Sequence, residues 1–188
     1  MSLLMTKELP RYECLREAAK EFPELDPWAC AVFLHLLRAG DVVSGVSERS
    51  LARHNLSWGR FGVLMLLWRS TRQRGANGSN GARLPPGPHT PAELAEAAGV
   101  TRATMTGLID TLERDGLAKR VPDTEDRRAL SVVLTPKAQQ LLRQTLPGHF
   151  QLMNTLMRSL SASECQTLVQ LLNKIIEQAA AMTAAAAH

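Results

Sequence analysis

The stretch from Thr90 to Thr135, TPAELAEAAGVTRATMTGLIDTLERDGLAKRVPDTEDRRALSVVLT, constrains the fold more than any other part of the chain. Thr90 can accept from the backbone N–H of Glu93 while the Glu93 carboxylate accepts from Thr90, and Pro91 suits the first helical position, so a helix starts here. Leu94, Ala95 and Ala98 give it a small apolar stripe, and Gly99 stands where a helix ends in a left-handed residue. Ala98-Gly99-Val100 is then a tight turn. Thr101 caps a second helix, in which Met105, Leu108, Ile109 and Leu112 recur at i, i+3, i+4 and i+7 and bury one face. The opposite face carries Arg102, Ala103, Thr106 and Gly107, and Gly116 closes the helix. Two helices across so short a turn form a helix-turn-helix, which offers the N-terminal end of the second helix to a major groove.

Leu117 to Val121 and Ala129 to Leu134 are short β-prone runs on either side of the polar tip Pro122-Asp123-Thr124-Glu125-Asp126-Arg127-Arg128, a hairpin with cations at its tip. From GVTRATMTGLIDTLERDGLAKR through DTEDRRALSVVLT, order and spacing resemble the winged helix-turn-helix of the MarR family of transcriptional regulators. The expected fold class is mostly α with a small β-wing: a winged helix-turn-helix plus a helical dimerisation region. The resemblance implies an intertwined homodimer, double-stranded DNA as partner and no enzymatic role. It also pairs the position of Asp110 with that of Arg128, which would fix the wing against the recognition helix and leave Arg127 for DNA.

Charge agrees with a polyanionic partner. The formal net charge is +4, and between Arg49 and Ala92 no acidic residue occurs while Arg49, Arg53, Arg60, Arg69, Arg72, Arg74 and Arg83 are basic. Cys14, Cys30 and Cys165 are widely spaced with no CxxC pattern, so neither a disulfide framework nor a zinc site is expected, and a reducing cytoplasm suits the chain. No apolar stretch is read as approaching the roughly 18 residues of a membrane span. The five histidines are scattered and neither HExxH nor a phosphate-cradling glycine loop occurs, so catalysis has no constellation to rest on, and no cofactor or metal is expected.

The flanks read as helices. Tyr12, Leu15 and Phe22 form one face of a short helix ending before Pro23. Asp26 caps and Pro27 starts a long helix reaching about His54, with Ala29, Val32, Phe33 and Leu36 on one side and Trp28, Leu34 and Leu37 widening the apolar surface. Ser57 caps a helix with Phe61, Leu64, Met65 and Trp68 at helical spacing. Residues 71–88, rich in Gly, Asn and Pro, form a loop longer than the family needs, an insertion whose arginines either touch phosphate or belong to a disordered segment. Thr135-Pro136 opens another helix, with a kink or break at Pro147-Gly148, and Ser161 with Glu164 boxes the start of a last one bearing Leu168, Leu171, Leu172, Ile175 and Ile176. The expected division is 1–56 for N-terminal dimerisation helices, 57–135 for the reading lobe and 136–188 for C-terminal dimerisation helices.

Specific roles follow. Arg102 is placed to donate two bonds to a guanine edge, and Ala103 and the Thr106 methyl to touch thymine. Thr101 and Thr104, at the helix start, are placed against phosphate. Arg127 or Arg128 would enter a narrow minor groove. The N-terminal segment PELDPWACAVFLHLLRAG is most similar to a branch of the family with an extra N-terminal helix, some of whose members respond to urate. Ala18 stands where that branch has a tryptophan, Leu108 where it has an arginine, and Gly107 where family members often place a DNA-contacting arginine. Trp28, His35, Arg38, Arg60 and Trp68 are expected to line a cleft for a small aromatic or phenolic ligand. The rival mode of control is a redox switch at Cys14 or Cys30, and a winged helix that only docks other proteins is the remaining alternative.

Overall fold

A computed structural model describes residues 8–72, 87–122 and 129–185. In chain order these form α1 (Tyr12–Glu21), α2 (Pro27–Ala52), α3 (Trp58–Arg72), α4 (Pro91–Ala98), α5 (Arg102–Arg114), β1 (Ala118–Pro122), β2 (Leu130–Leu134), α6 (Pro136–Met157) and α7 (Ala162–Ala185). The chain divides into two compact units, residues 1–147 and 148–188.

The helix starts are made by the residues that the sequence marks. Asp26 accepts from the N–H of Ala29 at 2.8 Å, and the Arg60 N–H bonds the Ser57 hydroxyl at 3.3 Å. The Ala138 N–H bonds the Thr135 hydroxyl at 3.2 Å. Ser161 and Glu164 close a reciprocal box, Ser161 N–H to Glu164 at 2.8 Å and Glu164 N–H to Ser161 at 3.3 Å. The bonds from Ser161 hold the Glu164 carboxyl below its ordinary value. Each such cap satisfies backbone donors that a helix leaves unpaired at its start.

The core lies in the first unit. Leu64, Leu94, Met105, Ile109, Leu112, Val132 and Leu142 are fully enclosed, so α3, α4, α5, β2 and α6 all contribute to one apolar cluster. Leu51 near the end of α2 and Leu56 in the following turn join it. Ala138, Leu142 and Leu146 do the same, so the first half of α6 shares the core of the reading lobe. β1 and β2 pair antiparallel with Ala118 opposite Leu134 and Arg120 opposite Val132. On the other edge of β2, Val132 N–H donates to His89 O at 2.8 Å, an isolated bridge that extends the sheet.

Two expectations change. Of the kink or break expected at Pro147-Gly148, the break is not found: α6 is one helix from Pro136 to Met157 with Pro147 inside it. The proline deletes one backbone donor, and the boundary between the two compact units falls at this same Pro147-Gly148 step. α2 is also long and apolar enough, by length and composition, to cross a membrane, contrary to the reading that no stretch approaches such a length. The reason is averaging: its alanines, valines and leucines outweigh one central Arg38–Asp41 pair, 3.5 Å apart. Trp28, Val32, Phe33 and Val42 on α2 remain exposed, Trp28 by 65% and Phe33 by 59%. In the second unit α7 buries no residue, and Leu168, Val169, Leu171, Ile175 and Ile176 all face outward.

Candidate nucleic-acid interface

α4 and α5 are set by three short-range devices. Thr90 and Glu93 form the full capping box, with Thr90 N–H to Glu93 at 2.8 Å and Glu93 N–H to the Thr90 hydroxyl at 3.3 Å. Gly99 adopts φ 65°, a left-handed conformation that a side chain would strain, and turns the chain directly into the next helix. Thr101 then accepts from the Thr104 N–H at 3.1 Å, and the two hydroxyls lie 2.9 Å apart. Both threonines are exposed, so capping the helix and meeting a phosphate are compatible roles for them.

The faces of α5 separate cleanly. Met105, Ile109 and Leu112 are fully enclosed, while Arg102, Ala103, Thr104, Thr106, Gly107 and Asp110 are exposed. Leu108 lies between, half-buried against α3. A Cβ added at Gly59 would come within 3.1 Å of Leu108 Cδ2, a close contact that the Leu108 side chain would have to relax by a few tenths of an ångström. Leu108, where the related branch carries an arginine, is therefore spent on packing.

The wing is tied to α5 by Arg120, a residue the sequence reading did not single out. Its Nη2 donates to Asp110 Oδ1 at 2.7 Å, its backbone N–H to Glu113 Oε1 at 2.7 Å, and its Nη1 pairs with the Glu113 carboxylate as well. Asp110 and Glu113 are one helical turn apart and present two carboxylates to a single cation on β1. That i, i+3 acidic pair followed by a hairpin cation was the available signal. Asp110 thus bonds a wing arginine, though from β1; Arg127 and Arg128 lie outside the described residues, as do residues 73–86 of the long loop.

The residues expected to line a ligand cleft each have a local engagement. Trp28 stacks on Tyr12 with ring centroids 4.4 Å apart. His35 Nδ1 donates to Ala31 O at 2.7 Å, Arg38 pairs with Asp41, and Trp68 packs at the edge of the core. Arg60 donates to Asn55 O at 2.9 Å and pairs with the Asp115 carboxylate. A shallow cleft of about 210 Å³ between α3 and β2, lined in part by Leu67, Ser70, Val132 and Leu134, contains none of the five. Cys14 is exposed and Cys30 and Cys165 half-buried, all as free thiols. Among the described residues, no three His, Cys, Asp or Glu side chains gather to hold a metal.

With that geometry in place, the comparisons are specific. The MarR family model matches residues 86–130, the span from just before the His89 bridge to the start of β2. The HTH-type transcriptional repressor YetL of Bacillus subtilis is 34% identical over 172 residues, covering 92% of this chain and 95% of that protein. Among solved structures, the organohalide-sensing regulator RdhR-CbdbA1625 in its 2,4-dichlorophenol-bound form superposes with a TM-score of 0.67 at 19% identity, over 94% of this chain and 89% of that one. The S. aureus MepR–DNA complex gives a TM-score of 0.63 at 19% identity, over 77% and 94%.

Proposed function

The chain belongs to the MarR family, and from that premise we propose that it is a transcriptional repressor that holds a near-palindromic DNA site as a homodimer and releases it on binding a small aromatic or phenolic molecule. The observation that carries this reading is the exposed face of α5: a capped N-terminus, Arg102, Ala103 and Thr106 pointing outward, and a wing braced behind them by Arg120. Arg102 supplies a fork for guanine, Ala103 and Thr106 supply methyl contacts for thymine, and Thr101 and Thr104 set the register against phosphate. Gly107 offers no donor, which puts more of the specificity on Arg102. Arg127 and Arg128 are the wing cations for an adjacent minor groove.

The dimer reading is supported by the apolar side chains that α2 and α7 leave uncovered. A second copy covers such faces at less cost than a bilayer would, because a membrane would have to accommodate Arg38 and Asp41 at the middle of α2. Two copies place their α5 helices about one DNA turn apart, which predicts half-sites separated by roughly 10 bp. The effector reading takes support from the fold neighbour bound to a dichlorophenol. Of the residues expected to meet such a molecule, Trp28 and Trp68 offer apolar walls, whereas His35, Arg38 and the Arg60 fork already have partners within the chain and would exchange them for the ligand.

The test is to sequence the DNA that the purified full-length protein retains from a genomic pool, then titrate the recovered duplex across salt. A recurring inverted repeat, and an affinity that falls linearly with log salt, is expected. Recovery of no inverted repeat would sink the reading.

A further inference from the structure

Besides α4, which ends at Gly99, two further helices of the first unit are followed by left-handed residues. α2 ends before Asn55, whose φ of 54° is the only positive value among the described non-glycine residues, and α5 ends at Gly116, with φ 69°. Arg60 joins the two ends. Its Nη1 donates to Asn55 O at 2.9 Å and its Nη2 pairs with the Asp115 carboxylate, next to Gly116. The guanidinium is largely enclosed, its side chain 17% exposed. From the other side, the start of α6 grips the same turn. Lys137 Nζ donates to Asp115 O at 2.7 Å, and the Thr135 hydroxyl donates to Gly116 O at 2.7 Å.

We propose that the Asp115–Gly116 turn is the joint through which α2 and α6 set the position of α5 on DNA, with Arg60, Asp115 and Lys137 as its positioning residues. This rests on the repressor reading above and adds to it where the recognition helix is held. With the Asp115 carboxylate 42% exposed, solvent screens its pair with Arg60 and limits what that pair adds to stability, so the value of these bonds lies in orientation. A planar fork bonds two acceptors on two separate chain turns at once, which an ammonium cannot reproduce. α5 has 13 residues, so its ends are about 18 Å apart, and a tilt of roughly 5° about the joint moves Arg102 by about 1.6 Å. That displacement is more than half the length of a hydrogen bond, enough to lose a base contact. A change in the seat of α2 or α6 at this turn is therefore converted into gain or loss of DNA contact at the far end of α5.

The experiment uses the full-length protein and the duplex recovered by selection, rebuilt with the two half-sites moved stepwise closer and further apart. Wild type, Arg60→Lys, Asp115→Asn, the double variant and Lys137→Ala are titrated on each duplex, and their urea unfolding is measured in parallel. The expected result is that wild type shows one preferred spacing, and that Arg60→Lys and Asp115→Asn each lose about tenfold there and far less at neighbouring spacings. The double variant should be no worse than the poorer single. Lys137→Ala, which alters one exposed side chain and leaves the fold intact, should flatten the profile in the same sense. A parallel loss at every spacing that tracks lost stability, or an unchanged profile in all variants, overturns the proposal. Failure of wild type to bind at any spacing instead overturns the repressor reading, and the joint with it.

Discussion

Arg102 stands at the first position of α5, exposed, with no acidic side chain among its described partners, on a helix whose buried face is fixed by Met105, Ile109 and Leu112. Replacing it with alanine removes a donor fork and leaves the helix start intact, since Thr101 provides the cap. Arg102→Ala is expected to weaken binding to the selected duplex by about 1 to 3 kcal/mol and to relax base preference at one position of each half-site. Titration against a panel of single-base variants checks both; equal loss on every variant would make Arg102 a phosphate contact instead. Residues of this kind are legible in a sequence when their structural reason is local. Thr90 with Glu93, Thr101 with Thr104, and Gly99 each act across a few positions, and each is found as read. Arg120 is not local: its carboxylate partners lie 7 and 10 residues back, across a helix end and a strand start. The close approach of Gly59 to Leu108 is still less legible, because the two residues lie on different helices.

At the scale of elements, the wing and α5 act as one body because Arg120 is saturated by Asp110 and Glu113. This separates two kinds of arginine. Arg120→Ala is expected to lower DNA affinity by an amount on the order of 1 kcal/mol while leaving the slope of log affinity against log salt unchanged, because that cation is spent inside the protein. Arg127→Ala is expected to reduce the slope by about one contact. Salt titrations of the two variants on one duplex decide it; a slope change in Arg120→Ala would mean that the residue reaches phosphate. The starts of α2 to α7 were legible, since caps and N1 prolines are positional signals, whereas α1 begins after Arg11 with no side-chain cap to mark it. The continuation of α6 beyond Pro147 was not legible, because a proline inside a helical pattern reads locally as a break, and whether the helix resumes is not a local property. The His89 bridge was missed for a similar reason: one residue paired across a sheet edge has no periodicity to announce it.

For the whole molecule, the apolar faces decide the assembly. α2 and α7 together leave exposed aromatic and branched side chains far beyond the scattered few of a monomer surface. Phe33→Glu combined with Ile176→Glu should convert the protein to a monomer in sedimentation velocity and weaken binding to the full palindrome by about a hundredfold or more, through loss of bivalent attachment. A double variant that still sediments as the wild type would remove these faces from the interface. The overall class, a reading lobe with helical flanks, was legible because amphipathic periodicity is a property of long stretches. The breadth of the apolar surface on α2 was legible too, but its being long and apolar enough to cross a membrane was not, because the Arg38–Asp41 pair interrupts the run.

The absence of any buried residue in α7 has a consequence beyond architecture. A helix of 24 residues with no fully buried side chain, and only Cys165 and Leu172 partly covered, gains most of its tertiary stability when something covers it, so with a second copy as cover its order is governed by mass action. Below the dimer dissociation constant, the amount of competent reader then rises as the square of the number of chains in the cell. A doubling of copy number quadruples the species that can occupy an operator, so the gene under its control responds to how much of the protein is made as well as to what the protein binds.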